Sequence, residues 1–173
     1  MTPILVSVLM WALVAVLLIL RRGRADRSIT YSAVTIAIAM TLNIDPVYIW
    51  VDGLLGSTNV ATLLADLALM VGIFFLGRAV AKAGRDQRGI VRIALGRTLL
   101  AIALAGVTAS FLLIDRGSTT TTFMLDLGAQ PAAAAYSIIQ FAYDAVIVSA
   151  MGPPLRGRSR GVAVPTACRR SHS

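Results

Sequence analysis

The sequence contains no glutamate, one lysine (Lys82), one cysteine (Cys168) and one histidine (His172). Each scarcity excludes a kind of chemistry. A lone cysteine cannot close a disulfide within the chain, and one cysteine with one histidine cannot assemble a ligand cluster, so neither a metal nor another cofactor is expected. The eight acidic residues are all aspartates, dispersed singly, and no nucleophile lies beside a base in any recognisable order. The stretch GRDQRG at 84–89 reads as a charged turn, not a phosphate cradle. An enzyme is therefore not expected. Charge is scarce too: 14% of residues are charged, where a soluble domain carries about 25%.

What fills the chain instead is hydrophobic. Of its 173 residues 57% are apolar, and the mean hydropathy is +0.80. Apolar runs alternate with short arginine clusters, the layout of a polytopic membrane protein. The net charge of +8 raises nucleic acid as a partner, but the cations sit between apolar runs and not on a face with interleaved aromatics. Anionic lipid headgroups at the cytoplasmic face fit them better, and no nucleic-acid partner is expected.

The expected fold class is all-α, a bundle of about five transmembrane helices in a membrane domain over 1–151. The spans are read at 4–20, 29–49, 60–81, 93–114 and 132–151. A helix needs about 20 residues to cross a hydrocarbon core of about 30 Å. The first segment lacks a cationic start and a small-residue cleavage site, so it reads as an uncleaved span. The second is the least apolar, although serine and threonine in a helix can bond back to its own carbonyls. With five spans, Arg21, Arg22, Arg24 and Arg27, then Arg78, Lys82, Arg85, Arg88, Arg92 and Arg97, then Arg156, Arg158, Arg160, Arg169 and Arg170 all fall on one side. Only Arg116 falls on the other. The positive-inside rule then puts the N-terminus outside and the C-terminus in the cytoplasm of a cell-membrane protein.

After Met151 the composition shifts to Gly, Pro, Arg and Ser, and 152–173 is expected to be a basic, disordered cytoplasmic tail. A reading-frame change that truncated a longer multi-span protein would leave the same kind of tail.

Two outer loops result. NIDPVYIWVDGLLGSTN at 43–59 begins with Asp45 and Pro46, a helix-start pair. Val47, Trp50, Val51 and Leu54 then follow the spacing of one apolar face, while Tyr48 and Trp50 favour headgroup depth. The stretch, including Asp52, reads as a short interfacial helix, with a ligand-binding loop as the alternative. Gly53 or Gly56 ends the turn, and Thr58 or Asn59 can cap the next span. The second outer loop, DRGSTTTTFMLDLGAQP at 115–131, reads as a solvated, hydroxyl-rich connection.

Ionisable groups inside a membrane are costly and are candidate functional residues. Asp66 lies about 9 Å into the third span, Asp144 about 18 Å into the fifth, and Arg97 about 6 Å into the fourth from the opposite side, at 1.5 Å per residue. Arg97 with Asp144 reads as a buried pair joining two helices, the alternative being an ion or proton path. Asp66 reads as a neutral acid or a group bonded to a neighbour such as Tyr136, or else as a functional residue. Ala68 with Gly72, and Ala101, Ala105 and Ala109, have the small-residue spacing that lets helices approach closely.

WALVAVLLILRRGR at 11–24, DPVYIWVDGLLGSTNVATLLADLALM at 45–70 (with its Asp52, Gly56 and Asn59) and the span AAAAYSIIQFAYDAVIV resemble a group of actinobacterial multi-span integral membrane proteins labelled as regulator components or transporters. The resemblance covers about residues 1 to 150. It implies a membrane role, regulatory or scaffolding, with a membrane or cytoplasmic protein as partner. Transport, with the intramembrane aspartates lining a path, is the alternative it leaves.

Overall fold

A computed structural model describes residues 2–20, 27–56, 58–83, 93–115 and 128–151. The described residues form helices joined by turns, with no strand among them. The helices are α1 (Thr2–Leu20), α2 (Arg27–Leu42), α3 (Asp45–Leu54), α4 (Val60–Ala83), α5 (Arg97–Leu112) and α6 (Pro131–Met151). A chain this apolar satisfies its backbone within each segment, which only a helix does without neighbours. The arginine clusters at 21–24 and 85–92, Arg116, the charged stretch at 84–89 and the tail at 152–173 lie outside the described residues.

Helices α4 and α6 are long and apolar enough to cross a membrane, and α2 with α3 would be a third span if the bent pair counts as one. The apolar part of α1 (Ile4–Ile19) and α5 are shorter. Two of the expected spans have other boundaries. The segment 29–49 is two helices meeting at 89°. Pro46 has no N–H to donate to the Leu42 carbonyl and its ring would crowd that carbonyl, so a continuous helix fails there. The backbone instead closes α2 with Asn43 N–H on Ala39 O at 3.2 Å and Ile44 N–H on Thr41 O at 3.1 Å. In the segment 93–114, Gly96 is extended (φ −74, ψ 142), so α5 begins only at Arg97.

Neighbouring helices run in opposite directions. Ser7 and Trp11 of α1 meet Thr41 near the far end of α2. Tyr31 near the start of α2 packs on Phe75 of α4, ring centroids 5.5 Å apart. Phe111 near the end of α5 packs on Tyr136 near the start of α6 at 6.0 Å. Helices α4 and α6 run parallel, since Asp66 bonds Tyr136 while Gly77, eleven residues on, faces Ile147. The order across the molecule is α1, α2, α4, α6, with α5 in the angle between α4 and α6 and α3 at the corner between α2 and α4.

Two apolar cores result. One, between α4, α5 and α6, contains Met70, Val107, Phe111, Tyr136 and Ile147. The other, between α1 and α2, contains Val14, Ala33 and Ala37. The seam between α2 and α4 is narrow: a methyl group on Gly72 would lie 2.6 Å from Ile36 Cγ1 and 3.0 Å from Thr35 Oγ1. The small-residue spacing at Gly72 thus marks a close helix approach.

Candidate functional site: two buried acidic clusters

At the corner, α3 turns its polar side inward. Asp52 is 0% exposed and Tyr48, one turn earlier, is also buried, whereas Trp50 is 65% exposed beside exposed Ile49 and Leu54. Of the apolar face Val47, Trp50, Val51 and Leu54, Trp50 and Leu54 are exposed as read, whereas Tyr48, read with Trp50 at headgroup depth, is packed inward. The packed stripe is Tyr48 and Asp52, and the exposed apolar residues are those suited to an interfacial helix. Asp45 does not cap α3: Ile44 holds the cap position without a side-chain bond, and Pro46 occupies the first turn.

Asp52 caps α4 instead. Its Oδ2 accepts the Asn59 N–H at 3.0 Å and its Oδ1 accepts the Ala61 N–H at 3.2 Å. Both amides belong to a helix start, where N–H groups have no partner within the helix and a negative charge is stabilised. Tyr48 donates its hydroxyl to Asn59 Oδ1 at 2.9 Å. Its single proton thus engaged, the 3.0 Å contact with Thr62 Oγ1 has Thr62 as donor. Burial holds the Tyr48 phenol above its ordinary ionisation range. Asn59 adopts a left-handed conformation (φ 60) and Gly56 another (φ 97), which carry the chain from α3 into α4. Asn59 sits at the cap position, as the sequence allows, but its side chain holds Tyr48 and the cap is supplied from seven residues back.

The second cluster lies on the α4–α6 seam. Tyr136 donates its hydroxyl to Asp66 Oδ2, and the Gln140 side chain is a further hydrogen-bond partner of Asp66. Tyr136, Gln140 and Tyr143 are all buried on one side of α6. Asp144 is half-buried beside Tyr143, and among the described residues Asp144 Oδ1 and the Tyr143 hydroxyl are buried without a hydrogen-bond partner.

Arg97 and Asp144 do not pair. Arg97 is exposed, and Asp144 Oδ1 has no partner. The register of α5 on α6, with Gly106 against Ile139 and Phe111 against Tyr136, puts Arg97 level with about Ser149. That is about 8 Å beyond Asp144 along the helix at 1.5 Å per residue, at the N-terminal end of α5. Sequence reasoning missed Gln140 and Tyr143, although Tyr136, Gln140 and Tyr143 recur at i, i+4 and i+7 within an apolar segment. It also missed Thr41, whose hydroxyl donates to Ala37 O at 2.7 Å and accepts Trp11 Nε1–H at 3.0 Å, leaving Ser7 as donor in the 3.0 Å contact between them.

No group of three or more His, Cys or Asp side chains able to hold a metal occurs among the described residues. Compared with family models, with curated proteins and with solved structures, the chain matches none.

Proposed function

We propose that this chain is a multi-pass protein of the cell membrane, a regulatory or scaffold component that acts through helix contacts and not by catalysis. One observation carries the reading: Asp52, buried, and Asp66, half-buried, each tie two helices together, α3 to α4 and α4 to α6. Groups so engaged keep a frame rigid and are not available to a substrate. The outward faces of α1 and α6, with Leu5, Leu9, Ile138 and Phe141 exposed, are apolar surface for lipid or for a partner's helix. The resemblance to actinobacterial regulator components agrees with this. The test is a photoreactive residue at Ile138, Phe141 or Val148 in native membranes. A single protein adduct of constant mass is expected, persisting when Asp66 and Asp144 are both replaced by asparagine; adducts with lipid alone would overturn the scaffold reading.

The topology we propose has five spans (α1, α2, α4, α5 and α6), α3 at the outer interface, the N-terminus outside and the C-terminus in the cytoplasm. Supporting it, the helices alternate in direction, and Arg27, Arg78, Lys82 and Arg97 share the end opposite α3. On this reading those cations meet anionic headgroups of the cytoplasmic leaflet. Reporter fusions at positions 25, 50, 86, 120 and 160 check it; a cytoplasmic signal at 50 or 120 would sink the arrangement.

A second reading, a transporter or transporter subunit, is favoured by one residue. Asp144 lies inside a candidate span and its buried oxygen has no partner. Unpaired acids at such depth are rare outside ion and proton pathways.

A further inference from the structure

Three buried side-chain atoms lack a hydrogen-bond partner among the described residues, and two of them, Asp144 Oδ1 and the Tyr143 hydroxyl, belong to consecutive residues of α6. The third, Thr30 Oγ1, stands on another helix. An orphaned buried polar atom costs about 1–3 kcal/mol, so two side by side call for an occupant. Tyr143 is 4% exposed and adjoins the half-buried Asp144 in the chain. The Tyr143 side of the site is closed, while Asp144 itself is half-buried. Among the described residues no arginine or lysine is within ion-pair distance of Asp144, and α5 closes the core beside it with Ala103, Val107 and Phe111.

The polar atoms continue along the seam. Gln140, one turn back on α6, bonds Asp66 of α4, which also holds Tyr136. Matched through the parallel register, Asp66 and Asp144 are about 12 Å apart along the seam at 1.5 Å per residue, with Gln140 between them. The groups around Asp144 are few. Helix α4 brings Asp66, whose charge reaches Asp144; α6 brings Tyr136 and Tyr143; the described residues of α5 bring no titratable group to this core. Tyr48 of α3 is engaged at the corner, with Asn59 and Thr62. Among the described cations, Arg78 stacks over the Phe74 ring at 5.5 Å, Lys82 lies in the last turn of α4 and Arg97 is exposed at the start of α5.

We infer that Asp144, with the Tyr143 hydroxyl beside it, is a reversible proton-binding site on the α4–α6 seam. A proton is the ligand that fits. It needs one lone pair, whereas an alkali cation needs a shell of several oxygens, and the described side chains offer only the carboxyl and one phenol here. On binding, the proton adds to a carboxylate oxygen. The neutral acid becomes a donor, and the phenol oxygen or an intervening water accepts from it. On release the carboxylate accepts from the phenol O–H. The two groups do not bond each other in the structure, so in either protonation state a side-chain rotation or an intervening water has to complete the contact, and the Tyr143 hydroxyl can serve as donor or acceptor in it. The assignment goes beyond the scaffold reading and stands independently of it: a scaffold with intact partner contacts can have or lack this site.

The test is infrared difference spectroscopy of the full-length protein in vesicles, between buffers of two pH values. A protonated-carboxyl stretch that appears and disappears with pH is expected. Asp144→Asn should abolish it, Asp144→Glu should restore it at a shifted frequency, and Asp66→Asn should keep it. Tyr143→Phe should keep the band but move its frequency, because the acid loses its neighbour. Asp144→Asn removes no hydrogen bond present in the structure, and helix content by circular dichroism verifies that each variant is folded. A folded Asp144→Asn protein whose spectrum matches the parent overturns the assignment. So does a band that responds to sodium or potassium chloride at fixed pH and not to pH itself.

Discussion

The carboxylate of Asp52 accepts the backbone N–H of Asn59 at 3.0 Å, so α3 caps the helix that follows it. The bond spans a turn that contains two left-handed residues, Gly56 and Asn59. Removing the acceptor strands the amides of Asn59 and Ala61 in a buried corner. Asp52→Ala is expected to destabilise the protein by about 1–3 kcal/mol for each stranded donor. Asp52→Asn keeps one carbonyl acceptor and should lose less. Equilibrium unfolding in mixed micelles, followed by circular dichroism, measures both.

Tyr48→Phe removes the bond to Asn59 Oδ1 and should cost about 1 kcal/mol. Burial raises the Tyr48 pKa above its ordinary value of 10.0, so the unfolded chain releases this proton first. The stability it supplies is whole below that ordinary value and falls as pH rises through it. Phenylalanine cannot ionise. The difference in unfolding free energy between parent and variant is therefore constant at neutral pH and shrinks above pH 10.0. A difference that instead grows in alkali would contradict the buried, neutral phenol.

The glycines of the packed helices should respond unequally to alanine. At Gly72 a methyl meets Ile36 Cγ1 at 2.6 Å, an atom held close to its backbone. At Gly77 it meets Leu95 Cδ2 at 2.7 Å, which can swing, and Ile147 Cγ2 at 2.9 Å, which swings less. At Gly106 the nearest atom is Ile139 Cδ1 at 3.4 Å. Overpacking costs about 1–3 kcal/mol, so Gly72→Ala and Gly77→Ala should both destabilise. Gly106→Ala should be neutral or stabilising, since alanine is favoured over glycine in a helix by about 1 kcal/mol. Melting temperatures of the three variants in one detergent settle the order.

Thr41→Val removes the acceptor that ties α1 to α2. Interhelical hydrogen bonds in membranes average about 0.6 kcal/mol, so the loss of stability should be small. The spectroscopic change should not be: Trp11 loses the partner of its indole N–H. With Trp50→Phe as background, Trp11 is the sole tryptophan, and its emission should shift to the blue. Unchanged emission would mean that the indole does not bond Thr41.

Helices came through from the sequence where a local cause forced them, and were misjudged where a distant contact decided. The break at Pro46 has a local cause, a missing N–H, yet the apolar run through it concealed the sharp bend. The inward turn of Tyr48 and Asp52 has no periodic signature, because their partners Asn59 and Ala61 lie across a turn whose shape depends on two positive φ angles. Tyr136 beside Asp66 was legible from depth alone, since each lies within two turns of the start of its helix. Arg97 beside Asp144 rested on the same kind of depth argument and failed, because the register of α5 on α6 is fixed by Gly106 and Phe111 and not by charge.

The division of the interior into two cores bears on how the chain is made. The core of α1 and α2 draws only on residues before position 38. The hairpin they form can therefore close while later segments are still inside the ribosome. Helix α4 arrives next with small residues ready for α2 and a cap supplied by α3, already synthesised. Its opposite face, with Asp66 and Met70, then waits for α6, the last helix to emerge. If the chain enters a membrane as proposed, Asp66 has no partner during that interval, and the wait is shortest when α5 and α6 enter as a pair.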